Sequence, residues 1–152
     1  MKLGAKVANF ELPATGGTTW RLKDAAGKKL VIYFYPKDMT SGCTSESQDF
    51  RDLYPAFKKA ATDIVGVSRD SLASHDKFKL QEKLPFALLV DAEEKLCKLF
   101  DVIHEKSMYG RKFMGVVRST FLLDAAGVLR QEWRKVKVPG HAEEVLEAAQ
   151  SL

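Results

Sequence analysis

Cys43 is one of two cysteines in this 152-residue chain, and its neighbours suggest a chemical use for it. Pro36, Thr40 and Cys43 form the pattern P-x-x-x-T-x-x-C. Thr40 or Ser41 can cap a helix, and with Thr40 as the cap Cys43 falls in the first helical turn. Unpaired backbone N–H groups and the positive end of the helix dipole there favour a thiolate over a thiol. The thiolate is the nucleophilic form of cysteine. The alternative at such a position is a small buried hydrophobe, the usual behaviour of a free cysteine.

The elements that must position Cys43 follow from the pattern around it. Leu30-Val31-Ile32-Tyr33-Phe34-Tyr35 reads as a strand buried on both faces. Pro36 lacks a backbone donor and ends it. Phe50, Leu53, Tyr54 and Phe57 then recur at helical spacing, with Cys43 on the same inward face. Pro55 inside that pattern predicts a kink or an end. Upstream, Asn9–Pro13 and Thr18–Leu22 flank Ala14-Thr15-Gly16-Gly17 as a small hairpin, and Leu22–Ala26 suits a short helical turn. Downstream, Asp63–Ser68 and Phe86–Val90 are further buried strands. Between them Ser71 caps a helix over Leu72–Leu84, with Pro85 just beyond.

Ala92, Leu96, Leu99 and Phe100 mark a short amphipathic helix, and residues 103–115 read as a long loop. Thr120–Leu123 is a fourth strand, turned at Asp124–Gly127 into a hairpin partner from Val128 to Val136. A last helix, His141 to Ser151, presents Ala142, Val145, Ala149 and Leu152 inward. Strands alternating with helices predict an α/β domain with a central mixed sheet flanked by helices. One domain over 1–152 is expected from the length.

The string Tyr33-Phe34-Tyr35-Pro36-Lys37-Asp38, followed by Gly42-Cys43-Thr44 and Glu46, resembles the active-site signature of the peroxiredoxins, in particular the peroxiredoxin Q branch (bacterioferritin comigratory protein). Arg118-Ser119-Thr120-Phe121 is similar to the family's second active-site motif. Asn9-Phe10-Glu11-Leu12-Pro13 is similar to its D-F-x-L-P opening, with Asn9 where the family usually has aspartate. The resemblance spans essentially the full length. It implies a thioredoxin-like fold with an N-terminal hairpin, and thiol-dependent reduction of hydrogen peroxide and organic hydroperoxides without metal, haem or flavin. The alternatives are a redox sensor that hands its oxidation to a partner protein, or a non-catalytic thioredoxin-like binding module.

Peroxide reduction needs a thiolate, a cation to hold it and donors for the oxygen that gathers charge. Cys43 is the expected nucleophile. Arg118 is permanently charged and carries donors in a fixed fork, suited to a thiolate and a peroxide oxygen together. Thr40 offers a hydroxyl to the peroxide or to a backbone amide, and Pro36 shields the sulfur from water. By resemblance Glu46 orients Arg118, although an acid in a helix's first turn is stabilising in itself. The 103–115 segment, with its methionines and aromatics, either borders the entrance or anchors packing. His75 and Asp76 read as solvated helix-surface residues.

The chain departs from the family at the resolving cysteine. The two usual positions hold Gln48 and Lys79. The remaining thiol, Cys97, lies far downstream and reads as a buried hydrophobe. A one-cysteine peroxidase served by an external thiol, glutathione with glutaredoxin or thioredoxin, is therefore expected. Two cysteines give no disulfide framework and fit a reducing compartment, so a cytoplasmic location is expected. Three scattered histidines argue against a zinc site. The 24 basic and 20 acidic residues are too balanced to indicate nucleic acid, and no apolar stretch suits a membrane. A monomer or weak homodimer is expected.

Overall fold

A stretch apolar at every position needs cover on both faces, and Leu30–Tyr35 sets the architecture accordingly. In the computed structural model, which describes residues 1–152, the chain begins with β1 (Glu11–Ala14), β2 (Thr18–Arg21), a 3-10 turn at Leu22–Ala25 and β3 (Lys29–Phe34). It continues through α1 (Ser41–Lys59), β4 (Thr62–Ser68), α2 (Leu72–Glu82), β5 (Ala87–Val90) and α3 (Lys95–Leu99). Strands β6 (Ile103–Met108), β7 (Arg111–Val116), β8 (Ser119–Leu123) and β9 (Leu129–Arg134) follow, and α4 (His141–Gln150) closes the chain. Seven strands form one mixed sheet in the order β2-β1-β5-β4-β3-β8-β9. β3 pairs in parallel with β4 and antiparallel with β8. This is the expected thioredoxin-like arrangement with an N-terminal hairpin.

Alternation along β3 divides the core in two. Leu30, Ile32 and Phe34 pack with Cys97, Phe100 and Phe121, while Val31, Tyr33 and Tyr35 pack with Cys43, Phe50, Phe57 and Val145. Successive side chains of a strand point to opposite faces, so the two cysteines lie on opposite sides of the sheet. On the Cys43 side the rings of Tyr33 and Phe50 stack at 4.8 Å. Such a pair adds about 0.5–1.5 kcal/mol beyond the area it buries. Gly66 in β4 makes room for it, since a Cβ there would stand 2.8 Å from the Tyr33 ring and 2.8 Å from Leu88 Cδ2.

Several expectations need correction. Residues 103–115 are not a loop: β6 and β7 pair antiparallel from Ile103–Val116 to Met108–Arg111, with Tyr109 and Gly110 left-handed at the turn. Exposed residues broke the alternation that would have marked the strands. Pro55 does not end its helix; α1 runs through it to Lys59, held by the buried side chains of Phe50 and Phe57. The proline costs one intrahelical donor, which packing outweighs. Leu152 lies beyond α4 and is exposed, leaving Ala142, Val145 and Ala149 as the inward residues. The helix around Cys97 is limited to Lys95–Leu99, with Ala92 exposed outside it. Asn9 retains an acceptor where the family has aspartate, because its Oδ1 takes the Lys23 N–H at 3.0 Å. No helix is long and apolar enough to cross a membrane.

Candidate active site

β3 ends at Phe34, and the segment 35–40 carries the chain to the start of α1. Met39 takes a left-handed φ of 63°, an uncommon conformation for a residue with a side chain. Thr40 follows in extended conformation and caps α1 by its backbone, its carbonyl accepting from Thr44 N at 2.9 Å. Its hydroxyl is not the cap, contrary to one of the two roles expected of it. It donates instead to the Lys37 carbonyl at 2.8 Å. Ser41, Gly42 and Cys43 are left in the first turn, where amides have no intrahelical partner.

Arg118, just before β8, joins this turn to the second half of the chain. Its Nη2 donates to Cys43 Sγ at 3.2 Å and its Nη1 to Glu46 Oε1 at 2.7 Å. One guanidinium fork therefore holds a sulfur and a carboxylate in fixed relation. Gly42 permits the approach, because a Cβ on it would lie 3.2 Å from Arg118 Nη2. Cys43 and Glu46 are each only 1% exposed, and Pro36 is half-buried beside them in sequence. Of the five expected residues, Cys43, Glu46 and Arg118 are in direct contact, and Pro36 and Thr40 flank them on the loop.

Burial pushes the Glu46 carboxyl up to about 7, against the opposing pull of the Arg118 charge and hydrogen bond. Its second oxygen, Oε2, is buried without a partner, as suits a carboxyl that keeps its proton. With Glu46 neutral, the Arg118 charge falls on the sulfur alone. With Glu46 ionised, its carboxylate competes with the sulfur for that one cation.

His75 was expected at the surface and is fully buried. Its Nε2 faces the Leu89 carbonyl at 2.8 Å, and a carbonyl only accepts, so Nε2 carries hydrogen. The 2.7 Å contact between Nδ1 and Asp38 Oδ2 then holds a second proton between the two groups. Asp38 also accepts from Tyr35 at 2.6 Å and from Ser74 at 2.8 Å, while its own N–H donates to Asp70 Oδ2 at 2.9 Å. The network ties the loop before Cys43 to α2 and β5. Its signal in the sequence was the spacing of His75 and Phe78, which puts both on one helix face. Asp76 is exposed as expected, accepting from Gly16 N.

Asp38, Asp70 and His75 present ligand-type atoms within 4.8 Å of one another. Those of Asp38 and His75 are taken up by the hydrogen bonds just described.

The two vacant resolving positions are occupied by braces. Gln48 donates to Glu82 Oε1 at 2.7 Å, and Lys79 Nζ to the Phe86 carbonyl at 2.9 Å. Arg51 adds a bond to the Glu82 carbonyl at 2.8 Å. All three fasten α2 to its neighbours. Cys97 is fully buried, its N–H bound to Asp91 Oδ2 at 2.7 Å, and burial raises its thiol far above the ordinary range.

A thioredoxin-like sheet with a buried cysteine opening a helix, and an arginine on its sulfur, is the framework of a thiol-dependent peroxidase. A family model described as the AhpC/TSA family matches residues 3–132, and the chain belongs to that family. It is 54% identical over 143 residues to peroxiredoxin Bcp of Xanthomonas campestris pv. campestris, covering 93% of this chain and 89% of that protein. It is 48% identical to peroxiredoxin Bcp of Bacillus subtilis, covering 100% of this chain and 97% of the relative. Among solved structures, the bacterioferritin comigratory protein of X. campestris, described for its alkyl peroxide reduction activity, superposes with a TM-score of 0.89. The two are 52% identical, with 93% of this chain and 90% of that one covered. PrxQ of Xylella fastidiosa gives a TM-score of 0.95 at 42% identity, covering 99% and 96%.

Proposed function

We propose that Cys43 is the peroxidatic nucleophile of a one-cysteine enzyme whose 1–152 chain works as one domain. The observation that carries this reading is the Arg118 fork, which reaches Cys43 Sγ and Glu46 Oε1 together. The thiolate attacks one oxygen of the peroxide, the O–O bond breaks, and the other oxygen leaves as water or alcohol after taking a proton. Cys43 becomes a sulfenic acid. Arg118 holds the thiolate and meets the charge developing on the leaving oxygen. Thr40 turns its hydroxyl from Lys37 toward the peroxide, Pro36 keeps water from the sulfur, and Glu46 orients Arg118. Hydrogen peroxide and organic hydroperoxides are the substrates, in keeping with the alkyl peroxide reduction described for the X. campestris protein.

The opposite placement of Cys43 and Cys97 supports resolution by an external thiol, glutathione with glutaredoxin or thioredoxin. A disulfide needs Cα atoms within about 7 Å, and here the sheet lies between the two residues. Two unpaired cysteines suit the cytoplasm, where we place a monomer or weak homodimer. Intact-mass analysis after one equivalent of peroxide tests the assignment. A gain of one oxygen that is lost in Cys43→Ser is expected. Loss of two hydrogens, from a Cys43–Cys97 bond, would overturn it.

A further inference from the structure

Met39 stands in a left-handed conformation, φ 63°, at the step from β3 to α1. Such backbone is costly for a residue with a Cβ, and it persists only where its surroundings hold it. The Met39 side chain is exposed and supplies no such hold. Thr40 follows directly, and the first turn of α1, with Cys43 in it, is built on Thr40. Whatever fixes Met39 therefore also fixes the hydroxyl and the sulfur that meet the peroxide.

Asp38, directly before Met39, is anchored on three sides. Its backbone N–H donates to Asp70 Oδ2 at 2.9 Å, and Asp70 is itself locked to Ser68 at the end of β4. Its carboxyl oxygens accept from Tyr35, just past β3, at 2.6 Å and from Ser74 of α2 at 2.8 Å. His75 completes the set: Nδ1 meets Asp38 Oδ2 at 2.7 Å, while Nε2 donates to the Leu89 carbonyl of β5 at 2.8 Å. The imidazole is thus a rigid strut from the sheet to the loop, with both His75 and Asp38 buried. The Arg118 fork stands apart from this set, bonded to Glu46 and Cys43.

We infer that His75 is a positioning residue for peroxide reduction: through Asp38 it holds Met39 in its left-handed turn and so sets Thr40 beside the Cys43 sulfur. This role rests on Cys43 being the peroxidatic sulfur, as proposed above. His75 acts at a distance, bonded to neither Cys43 nor Arg118. A misplacement of about 1 Å in such a site costs up to roughly 10²-fold in rate.

Two substitutions separate the ends of the strut. The amide of asparagine reaches the place of Nδ1, so His75→Asn keeps the bond to Asp38 and gives up Leu89. The amide of glutamine reaches the place of Nε2, so His75→Gln keeps Leu89 and gives up Asp38. The full-length proteins are mixed with hydrogen peroxide, and sulfenic acid on Cys43 is followed by quenched-flow mass spectrometry, with unfolding midpoints measured alongside. His75→Gln should slow oxidation by about 10–10²-fold and His75→Asn by less than about threefold, although both lower the midpoint. Adding Met39→Gly to His75→Gln should restore most of the lost rate, because glycine takes a left-handed φ without the Cβ penalty. Alkylation of Cys43 by iodoacetamide, which needs the thiolate but not the Thr40 hydroxyl, should not fall with the oxidation rate. Lys79→Met, which removes a brace of α2 remote from the loop, should lower the midpoint and leave the oxidation rate unchanged. If His75→Gln does not fold, Tyr35→Phe combined with Ser74→Ala strips the other two donors from Asp38 and should show the same loss and the same recovery with Met39→Gly. Equal oxidation rates in His75→Asn and His75→Gln, a rate that follows the midpoint in Lys79→Met, or no recovery with Met39→Gly would overturn the role of His75 while leaving the sulfenic acid assignment standing. Absence of the sulfenic acid in the wild type would take down both.

Discussion

Replacing Glu46 with glutamine isolates the one acid whose burial is most costly. The carboxyl is 1% exposed, its Oε2 has no partner, and burial raises it from 4.5 to about 7. A carboxyl with a folded pKa above its unfolded value binds its proton more tightly in the folded chain. Its contribution is therefore full below about pH 4.5 and is lost as pH rises through 7. The whole shift corresponds to about 3 kcal/mol, most of which falls between pH 5 and pH 8. Glutamine keeps an acceptor for Arg118 Nη1 and never ionises. Urea unfolding of wild type and Glu46→Gln at both pH values gives the difference directly, because other titrating groups, such as the buried His141, are common to the two proteins. The variant should gain roughly 2–3 kcal/mol relative to wild type on going from pH 5 to pH 8. A stability difference independent of pH would refute the account of Glu46 as a carboxyl that folds protonated.

Arg118→Ala should slow peroxide oxidation of Cys43 by roughly 10²–10³, the usual loss for one positioned donor. Stopped-flow rates within twofold of wild type would remove Arg118 from the reaction, and Arg118→Lys should restore little because the fork is lost. Gly42→Ala should place a methyl 3.2 Å from Arg118 Nη2 and push the guanidinium off the sulfur. It should lower the same rate with little change in unfolding midpoint, and an unchanged rate would show that the arginine position is not critical.

Much of the site was legible because it is built from local pattern. The apolar run before Pro36, the helix start after it and the motif around Arg118 each carry their own signal. The contact among Cys43, Arg118 and Glu46 needed only the antiparallel pairing of β3 with β8 to bring the two motifs together. What was missed depends on longer-range arrangement. His75 reads as a polar residue on a helix until Asp38, Ser74 and the Leu89 carbonyl are placed around it. Pro55 misled because local propensity is outweighed when the aromatic residues on either side are fully buried.

On the one-cysteine mechanism proposed above, the sheet between the two thiols leaves this protein a single doorway. With Cys43 as the nucleophile of that mechanism, peroxide would enter, water or alcohol would leave, and the reductant would come through the same mouth, with no relay to Cys97. Traffic through one opening makes the two reactants rivals for oxidised Cys43. A thiol returns it to service, whereas a second peroxide carries it on to sulfinic acid and retires it. The working lifetime of each molecule is thus set by the ratio of thiol to peroxide outside rather than by either concentration alone. A rise in peroxide can be met by more thiol without any change in the protein itself.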